Sequence, residues 1–415
     1  LGDVDLMREV IKTILLTCLI ALALFQTQEL WFRNMSRGFF AVFAIQASPG
    51  DSYGEFFVAP TRILTSLGNN RFAVEYAPGT IQHLAPLFAD ALASQPIVTE
   101  ITPDLFNGRI IIYYYNFNMP AWAFFQHFGI ENHLPLQYFN QILIVPQLAT
   151  NLVHISFVGE YVVSYTITTS ANAALNTHIQ NAHRDFGDSH FYYASSSIMG
   201  FAFDTNLFLP RWHGDTLQYT PLTVSPILSG DLIEIGQNIS FFFDNPDLVR
   251  SDNRNGILTY GDFNVVVRYY NNVLEYTNHR PGSAPGNILT YFDTAMAFLT
   301  RDTNVTTPFV LQGFTTEDTY TTFYFDYVIN NFPVMLADAP LDHWLQITVE
   351  QGHVTSYRKV ALNLHQTQAH NYHRTDIITL VNERGVHINP TLGYIYHFHS
   401  ATVGIDWNVN GEEIE

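Results

Sequence analysis

The chain has 415 residues, 47% hydrophobic and 15% aromatic, a length and composition that suit two or three buried domain cores. Its formal net charge of −19 and its lysine content, Lys12 and Lys359 alone, argue against nucleic acid and anionic lipid surfaces as partners, because both would repel it. The single cysteine, Cys18, leaves the chain without an internal disulfide, which fits a bacterial surface better than a stapled eukaryotic secreted domain.

In chain order, Arg8 and Lys12 lead into an apolar run from Thr13 to Phe25, followed by Glu29, Trp31 and Phe32. The strictly apolar part is shorter than the roughly 20 residues that span a bilayer. Extended over residues 10–32 it reaches that length, with Lys12 snorkelling at one end and Trp31 at the other interface. Residues 1–9 then form a cytoplasmic stub, with Met7 a candidate native start. Arg33 and Arg37 balance Arg8 and Lys12, so charge bias alone does not orient the span. A cleaved signal peptide is the competing reading, because the apolar run has the right length and Ala21-Leu-Ala23 imitates a cleavage site. Leu24 and Phe25 follow that site at once, and Glu29 to Phe32 look like a membrane exit, which favours an anchor. Both readings put the body outside the cytoplasm. Thr13, Thr17 and Ala21 fall at i, i+4 and i+8, so small side chains line one helix face where membrane helices can approach closely. Membrane segments also carry such residues with no partner.

Beyond the run, Phe56 to Ala59 reads as a short strand, and Arg62 to Thr65 with Arg71 to Glu75 as a hairpin around Gly68. Ile81 to Ser94 has helical spacing, with Pro86 marking a possible true start. Arg109 to Tyr115 and Phe139 to Val145 are apolar strands, and Ala121 to Phe128 is helical after Pro120. From Tyr161 the pattern changes to short strands and polar turns: Tyr161 to Thr168, Leu217 to Val224 and Ile239 to Phe243. A meander follows over Ile257 to Tyr260, Asn264 to Tyr270 and Asn272 to Tyr276. The continuously apolar Asn264 to Tyr270 is expected inside a sheet. Arg280 to Gly286 is the clearest linker. The last third reads as a helix over Ile288 to Leu299, strands over Thr322 to Val328, Trp344 to Val349 and Val354 to Val360, a helix over Asn363 to Leu380, and a closing hairpin from Gly393 to His399 and Val403 to Val409.

Candidate chemistry is sparse. His365, His370 and His373 would share a helix face, and His397 and His399 alternate on a strand, but neither set has the acidic or cysteine partners of a zinc signature. Asp185 with Asp188, and Asp342 beside His343, are conceivable acid/base pairs, although loop carboxylates more often cap helices or face water. Nucleophile-elbow, P-loop and dinucleotide fingerprints are all missing. Tyr113 to Tyr115, or Tyr192 and Tyr193, would suit sugar stacking if exposed and core packing if not. No catalytic residue, metal or cofactor is therefore expected.

Several segments, taken in order, resemble the YycH family. Ile11-Lys-Thr-Ile-Leu-Leu16 and Glu29-Leu-Trp31 are similar to its membrane start and exit, and Pro60-Thr-Arg-Ile-Leu64 to its early strand. Asn118-Met-Pro120 and Tyr138 to Ile144 resemble its next segment, and the nearest likeness runs from Phe241 to Val249, Leu258 to Tyr260 and Val273 to Asn278. Asn330 to Val334, Gly352 to Tyr357, Leu392 to Tyr394 and Trp407 to Gly411 follow. Residues 170 to 216 match nothing in the family, and the chain is poor in lysine and rich in Phe, Tyr and Asn by comparison.

The resemblance implies an α+β protein: a single N-terminal transmembrane helix followed by a multidomain, mainly antiparallel-sheet extracytoplasmic body. The expected division is a stub (1–9), a transmembrane helix (10–32), an N-terminal α+β domain (38–160), a central β-rich domain (161–280) and a C-terminal α+β domain (281–415). It further implies a non-enzymatic regulator on a Gram-positive cell membrane, without cofactor. That regulator would act with a YycI-like protein on the YycG/WalK sensor histidine kinase, and Thr13, Thr17 and Ala21 would be its partner-binding face. An anchored binding module for a wall polymer or small ligand remains the alternative.

Overall fold

A computed structural model describes residues 53–410 except 69–70, 77–80, 100–107, 148–149, 186–190, 195–207, 211–215, 220–221, 229–231, 283–284, 330–331, 367–369, 374–388 and 399–401. The expected anchor at 10–32, with Thr13, Thr17 and Ala21, lies outside the described residues. Among the described residues, no helix is long and apolar enough to cross a membrane.

The first described element is a five-residue helix, α1 (Gly54–Val58), in place of the short strand expected over Phe56 to Ala59. Pro60 explains where it stops, since the residue before a proline is driven to extended backbone, and Ala59 has ψ 131°. Strands β1 (Arg62–Ser66), β2 (Arg71–Tyr76), β3 (Ile97–Thr99), β4 (Ile110–Pro120), β5 (Tyr138–Pro146), β6 (Leu152–Val158), β7 (Val162–Thr168), β8 (Phe191–Ala194) and β9 (Phe208–Pro210) build one antiparallel sheet in the order β3-β7-β6-β5-β4-β1-β2-β8-β9. Helices α2 (Ala85–Leu92), α3 (Ala121–His127) and α4 (Asn172–Asp185) pack on it. Pro86 sits in the first turn of α2, where its missing N–H costs nothing. β4 runs through the core with both faces covered: Ile110, Ile112 and Tyr114 pack with Leu64, Phe72, Val74 and Leu143, while Ile111, Tyr113 and Tyr115 are buried as well. The three tyrosines thus pack in the core and are not a sugar platform.

β10 (Thr216–Tyr219) and β11 (Leu222–Pro226) precede α5 (Leu232–Asn238), and a 3-10 turn at Ser240–Phe242 occupies the expected strand at Ile239 to Phe243. A second, eleven-stranded sheet then forms from β12 (Arg250–Arg254), β13 (Ile257–Gly261), β14 (Val265–Tyr270) and β15 (Val273–Asn278), followed after helix α6 (Ile288–Leu299) by β16 (Phe309–Thr316), β17 (Tyr320–Ile329), β18 (Phe332–Ala337), β19 (Leu345–Glu350) and β20 (His353–Val360). β21 (Leu362–Gln366) pairs with β11, β22 (His370–His373) pairs with β10, and β23 (Asn389–His397) and β24 (Thr402–Asn410) complete the large sheet. Its order is β12-β13-β14-β15-β20-β19-β17-β18-β23-β24, with β16 on β17 outside that path and β18–β23, among the described residues, the one parallel pair. The expected helix over Asn363 to Leu380 is corrected to β21 and β22 in its described part: two partner strands offer ladder bonds that the weak local helix pattern does not outweigh. β14 is interior, as its apolar run implied.

The expected boundary at 160/161 falls between the paired strands β6 and β7, and the one at 280/281 between strands of the same large sheet. The reason is physical: β15 hydrogen-bonds to β20 from Val273↔Val360 to Thr277↔Ser356, so strands on both sides of the linker share one ladder.

The core of the second sheet holds a buried ion pair. Helix α6 is capped by Asn287, whose side chain accepts from Thr290 N at 3.0 Å, and buries Tyr291, Phe292, Ala295, Met296, Phe298 and Leu299 as one stripe. Just past its end, Asp302 takes the Lys359 ammonium and the Tyr357 hydroxyl (2.9 Å) on Oδ2, and Asn304 N (3.0 Å) on Oδ1. Both charged side chains are almost completely buried. Burial pushes the Lys359 ammonium below its ordinary pKa, against the opposing pull of Asp302. Such a pair stabilises little against an apolar replacement, yet removing one partner strands a buried charge at a cost of about 3–5 kcal/mol. Asp302→Ala should therefore lower unfolding stability by roughly that amount in urea titration. The double variant Asp302→Asn/Lys359→Met should lose less than Asp302→Ala does.

Candidate functional site at the junction of the two sheets

Among the described residues, the predicted catalytic and metal constellations resolve into structural contacts. His343 Nδ1 lies 2.9 Å from Oδ2 of Asp326, not of its neighbour Asp342, and the other Asp326 oxygen accepts Trp344 N at 3.0 Å. Burial alone would lower the His343 pKa, but the bond and charge of Asp326, aided by Asp342, hold it raised. Both carboxylate oxygens are thus committed to fastening the 341–344 turn onto β17, beside the fully buried Trp344 ring. His365 Nε2 meets Ser225 Oγ at 2.9 Å across the β11–β21 pair. The helical spacing that would have grouped it with His370 and His373 does not exist, since both lie on β22. His397 ends β23, 3.9 Å from Asp338, while His399 and Asp188 lie outside the described residues, as do the side chains of Asp185, Tyr192 and Tyr193. No group of three metal-ligating side chains converges among the described residues.

The residues that do converge from distant parts of the sequence lie where the two sheets meet, around α1. Phe57 has no exposed surface. Its ring packs edge-on to Phe292 of α6 at 5.2 Å and against Phe314 of β16 at 5.9 Å, and Phe314 in turn meets Phe117 of β4 at 5.3 Å. α1 also packs against α3, so one five-residue helix touches elements of both sheets. Two irregularities face each other here. β4 loses register between Tyr114 and Met119, and β16 between Leu311 and Gly313. Bulges redirect side chains, and these two let Asn116 Nδ2 reach Gln312 Oε1 at 2.5 Å while Phe117 turns toward Phe314. A Cβ at Gly313 would stand 3.7 Å from the Phe117 Cβ, in ordinary van der Waals contact.

Hydrogen bonds fix α1 on both sides. Tyr115 Oη donates to Val58 O at 2.9 Å, Thr61 N to Tyr114 O at 2.7 Å, and Asn116 N to Thr61 Oγ1 at 3.1 Å, all from the first sheet. From the second, Asp293 Oδ1 accepts Tyr53 N at 2.8 Å. Three titratable groups gather at this contact: Glu55 on α1, His127 at the end of α3 and Asp293 on α6. Burial lowers the His127 pKa, while the Glu55 and Asp293 carboxylates pull it back up. Its Nε2 is buried without a hydrogen-bond partner, so protonation there gains charge attraction but no direct bond. The arrangement is a packed joint between the two sheets with titratable groups at its rim. Sequence reading missed it because α1 looked like a strand and its contacts span more than 230 residues. The one legible signal was the density of phenylalanines at 56–57, 117, 292 and 314.

No family model matches the sequence, and no curated protein matches it. By structure, the chain has a YycH-like fold. It superposes on the crystal structure of YycH from Bacillus subtilis with a TM-score of 0.54, covering 88% of this chain and 97% of that one at 11% identity. A crystal structure of an uncharacterized protein from Eubacterium rectale gives a TM-score of 0.30 over 46% of this chain and 76% of that one, at 10% identity.

The lowered His127 pKa has a defined consequence for stability. A histidine whose folded pKa lies below its unfolded value of 6.5 stabilises the fold above 6.5, and that contribution is lost as pH falls through the folded value. Urea midpoints measured from pH 7.5 down to 5 should therefore decline less steeply in His127→Gln than in the parent chain. Equal slopes would show that His127 titrates alike in both states.

Proposed function

We propose that the chain is a membrane-anchored, non-enzymatic regulator of a cell-wall-linked two-component sensor histidine kinase of the YycG/WalK type. The observation that carries this reading is the YycH-like fold along 88% of the chain. The apolar run at residues 10–32 supports a single membrane span with the body outside the cell, and the net charge of −19 argues against nucleic acid. In this reading the face of Thr13, Thr17 and Ala21 meets the transmembrane helices of the kinase and of a YycI-like protein, where small side chains permit close packing. The body divides functionally at α1: the first sheet with its helices forms one part and the eleven-stranded sheet the other. In this reading only 20 residues, 33–52, separate the end of the proposed span from Tyr53, so displacement of the anchor reaches the joint through a short stretch of chain.

Thr17→Leu and Ala21→Leu add bulk on the packing face without making the segment less hydrophobic, and Thr13→Leu probes its cytoplasmic end. Output of a kinase-dependent reporter should change in these variants at constant surface abundance, while Leu15→Ile on the opposite face should leave it near the parent level. Unchanged output in all three Leu variants would remove the intramembrane mechanism. Release of a soluble form beginning after Ala23 would remove the anchor itself.

A further inference from the structure

At one end of the β12–β15 meander, two hairpin turns lie side by side. Asn255-Gly256 joins β12 to β13 and Asn271-Asn272 joins β14 to β15, each a two-residue loop with both residues at positive φ: 54° and 81°, then 46° and 59°. This is the primed-turn geometry that matches strand twist, and asparagine tolerates it better than other side-chain-bearing residues. The turns border an open cavity of about 410 Å³, within the roughly 300–1,000 Å³ of small-ligand sites. Asn253, Leu258 and Tyr269 are directly paired across adjacent strands and so share the face that lines it. Leu232, the first residue of α5, supplies a wall, and Gly256 leaves the rim without a side chain.

We propose that this cavity is a binding subsite for a neutral, hydroxyl-rich ligand, a saccharide unit of a larger polymer. The lining chemistry selects that class. Three carboxamides, on Asn253, Asn271 and Asn272, bring paired donors and acceptors of the kind that vicinal hydroxyls satisfy. The lining is mostly polar, with apolar contact limited to Leu232, Leu258 and the rings of Tyr269 and Tyr270, and among the described residues no charged side chain lines the cavity. The nearest charges on β12, Asp252 and Arg254, alternate to the other face and pair with each other at 2.6 Å. The Asn272 amide and its backbone are also held in place before any ligand arrives. Ala361 N donates to Asn272 O at 2.7 Å, and Tyr269 Oη lies 3.1 Å from both Asn272 Oδ1 and Leu228 O. Preorganised polar groups lose little freedom on binding, which matters for the weak contacts of an open site. The site is independent of the regulatory reading, and neither depends on the other.

The test is calorimetric titration of the full chain with two neutral probes, tetra-N-acetylchitotetraose and cellotetraose, and with polyglutamate as a charged comparator. Asn271→Gly keeps the positive φ while removing a carboxamide, and Asn253→Ala removes a second from an exposed strand. An unchanged melting temperature in the double variant establishes that it is folded; if it melts lower, Asn253→Ala alone serves. Saturable one-to-one binding of either tetrasaccharide, weakened at least tenfold by the folded variant, supports the site. Absence of saturable binding by both tetrasaccharides, indifference to the substitutions, or binding of polyglutamate alone would overturn it.

Discussion

The packing of α1, with the fully buried ring of Phe57, is the constraint that brings the two halves of the body into contact beside β4 and β16. That ring sits on a helix of five residues that could not persist alone in water, because nucleating a helix fixes several residues for few hydrogen bonds. What keeps α1 folded is the pair of sheets on either side, and α1 joins the sheets together with the direct contact of β4 with β16. The contributions are unequal. Truncating a buried Phe to Ala typically costs about 3–5 kcal/mol. The exposed Asn116–Gln312 hydrogen bond across the same joint belongs to a class with a net value of about 0.5–1.5 kcal/mol. Packing therefore sets the strength of the joint, and the polar contact sets its register.

The aromatic content of the chain makes this economy possible. A body lacking cysteine has no cross-links to restrain its unfolded state, so its stability rests on packed area and interlocked rings. Phe88, Phe124, Phe125, Phe139 and Phe157 form one edge-to-face network beneath the first sheet, and Phe242, Tyr276, Phe298 and Tyr357 form a second cluster of stacked, tilted and edge-on rings beside α6. Tyr357 also ties its cluster to Asp302 and Lys359. One of the two lysines in the chain thus lies in a buried pair, where its net contribution to stability is small but the loss of its partner is costly.

Elements with strong local signals were legible. The stripe of α6, the proline-started α2, the meander over β13 to β15 and the closing hairpin all follow from periodicity and turn chemistry. The losses share a cause. α1 and the 3-10 turn at Ser240–Phe242 are too short to carry a helical period, and β21 and β22 become strands only because β11 and β10 lie beside them. Helix α4 did carry a readable stripe, Leu175, Ile179 and Ala182, which a segment without family likeness led the reading to pass over. The joint itself could not be read, because Phe57 and Phe292 give no local sign that they touch. The YycH-like fold, by contrast, was visible in the order of many weak segments, of which no single one would have sufficed.

If α1 is the element through which the two parts act as one, its loss should uncouple their unfolding. Differential scanning calorimetry of the full chain and of Phe57→Ala measures this directly. The account predicts one cooperative transition in the parent and two resolved transitions in the variant, one for each sheet. A single transition in the variant, merely shifted to lower temperature, would contradict it and would place the coupling elsewhere in the interface.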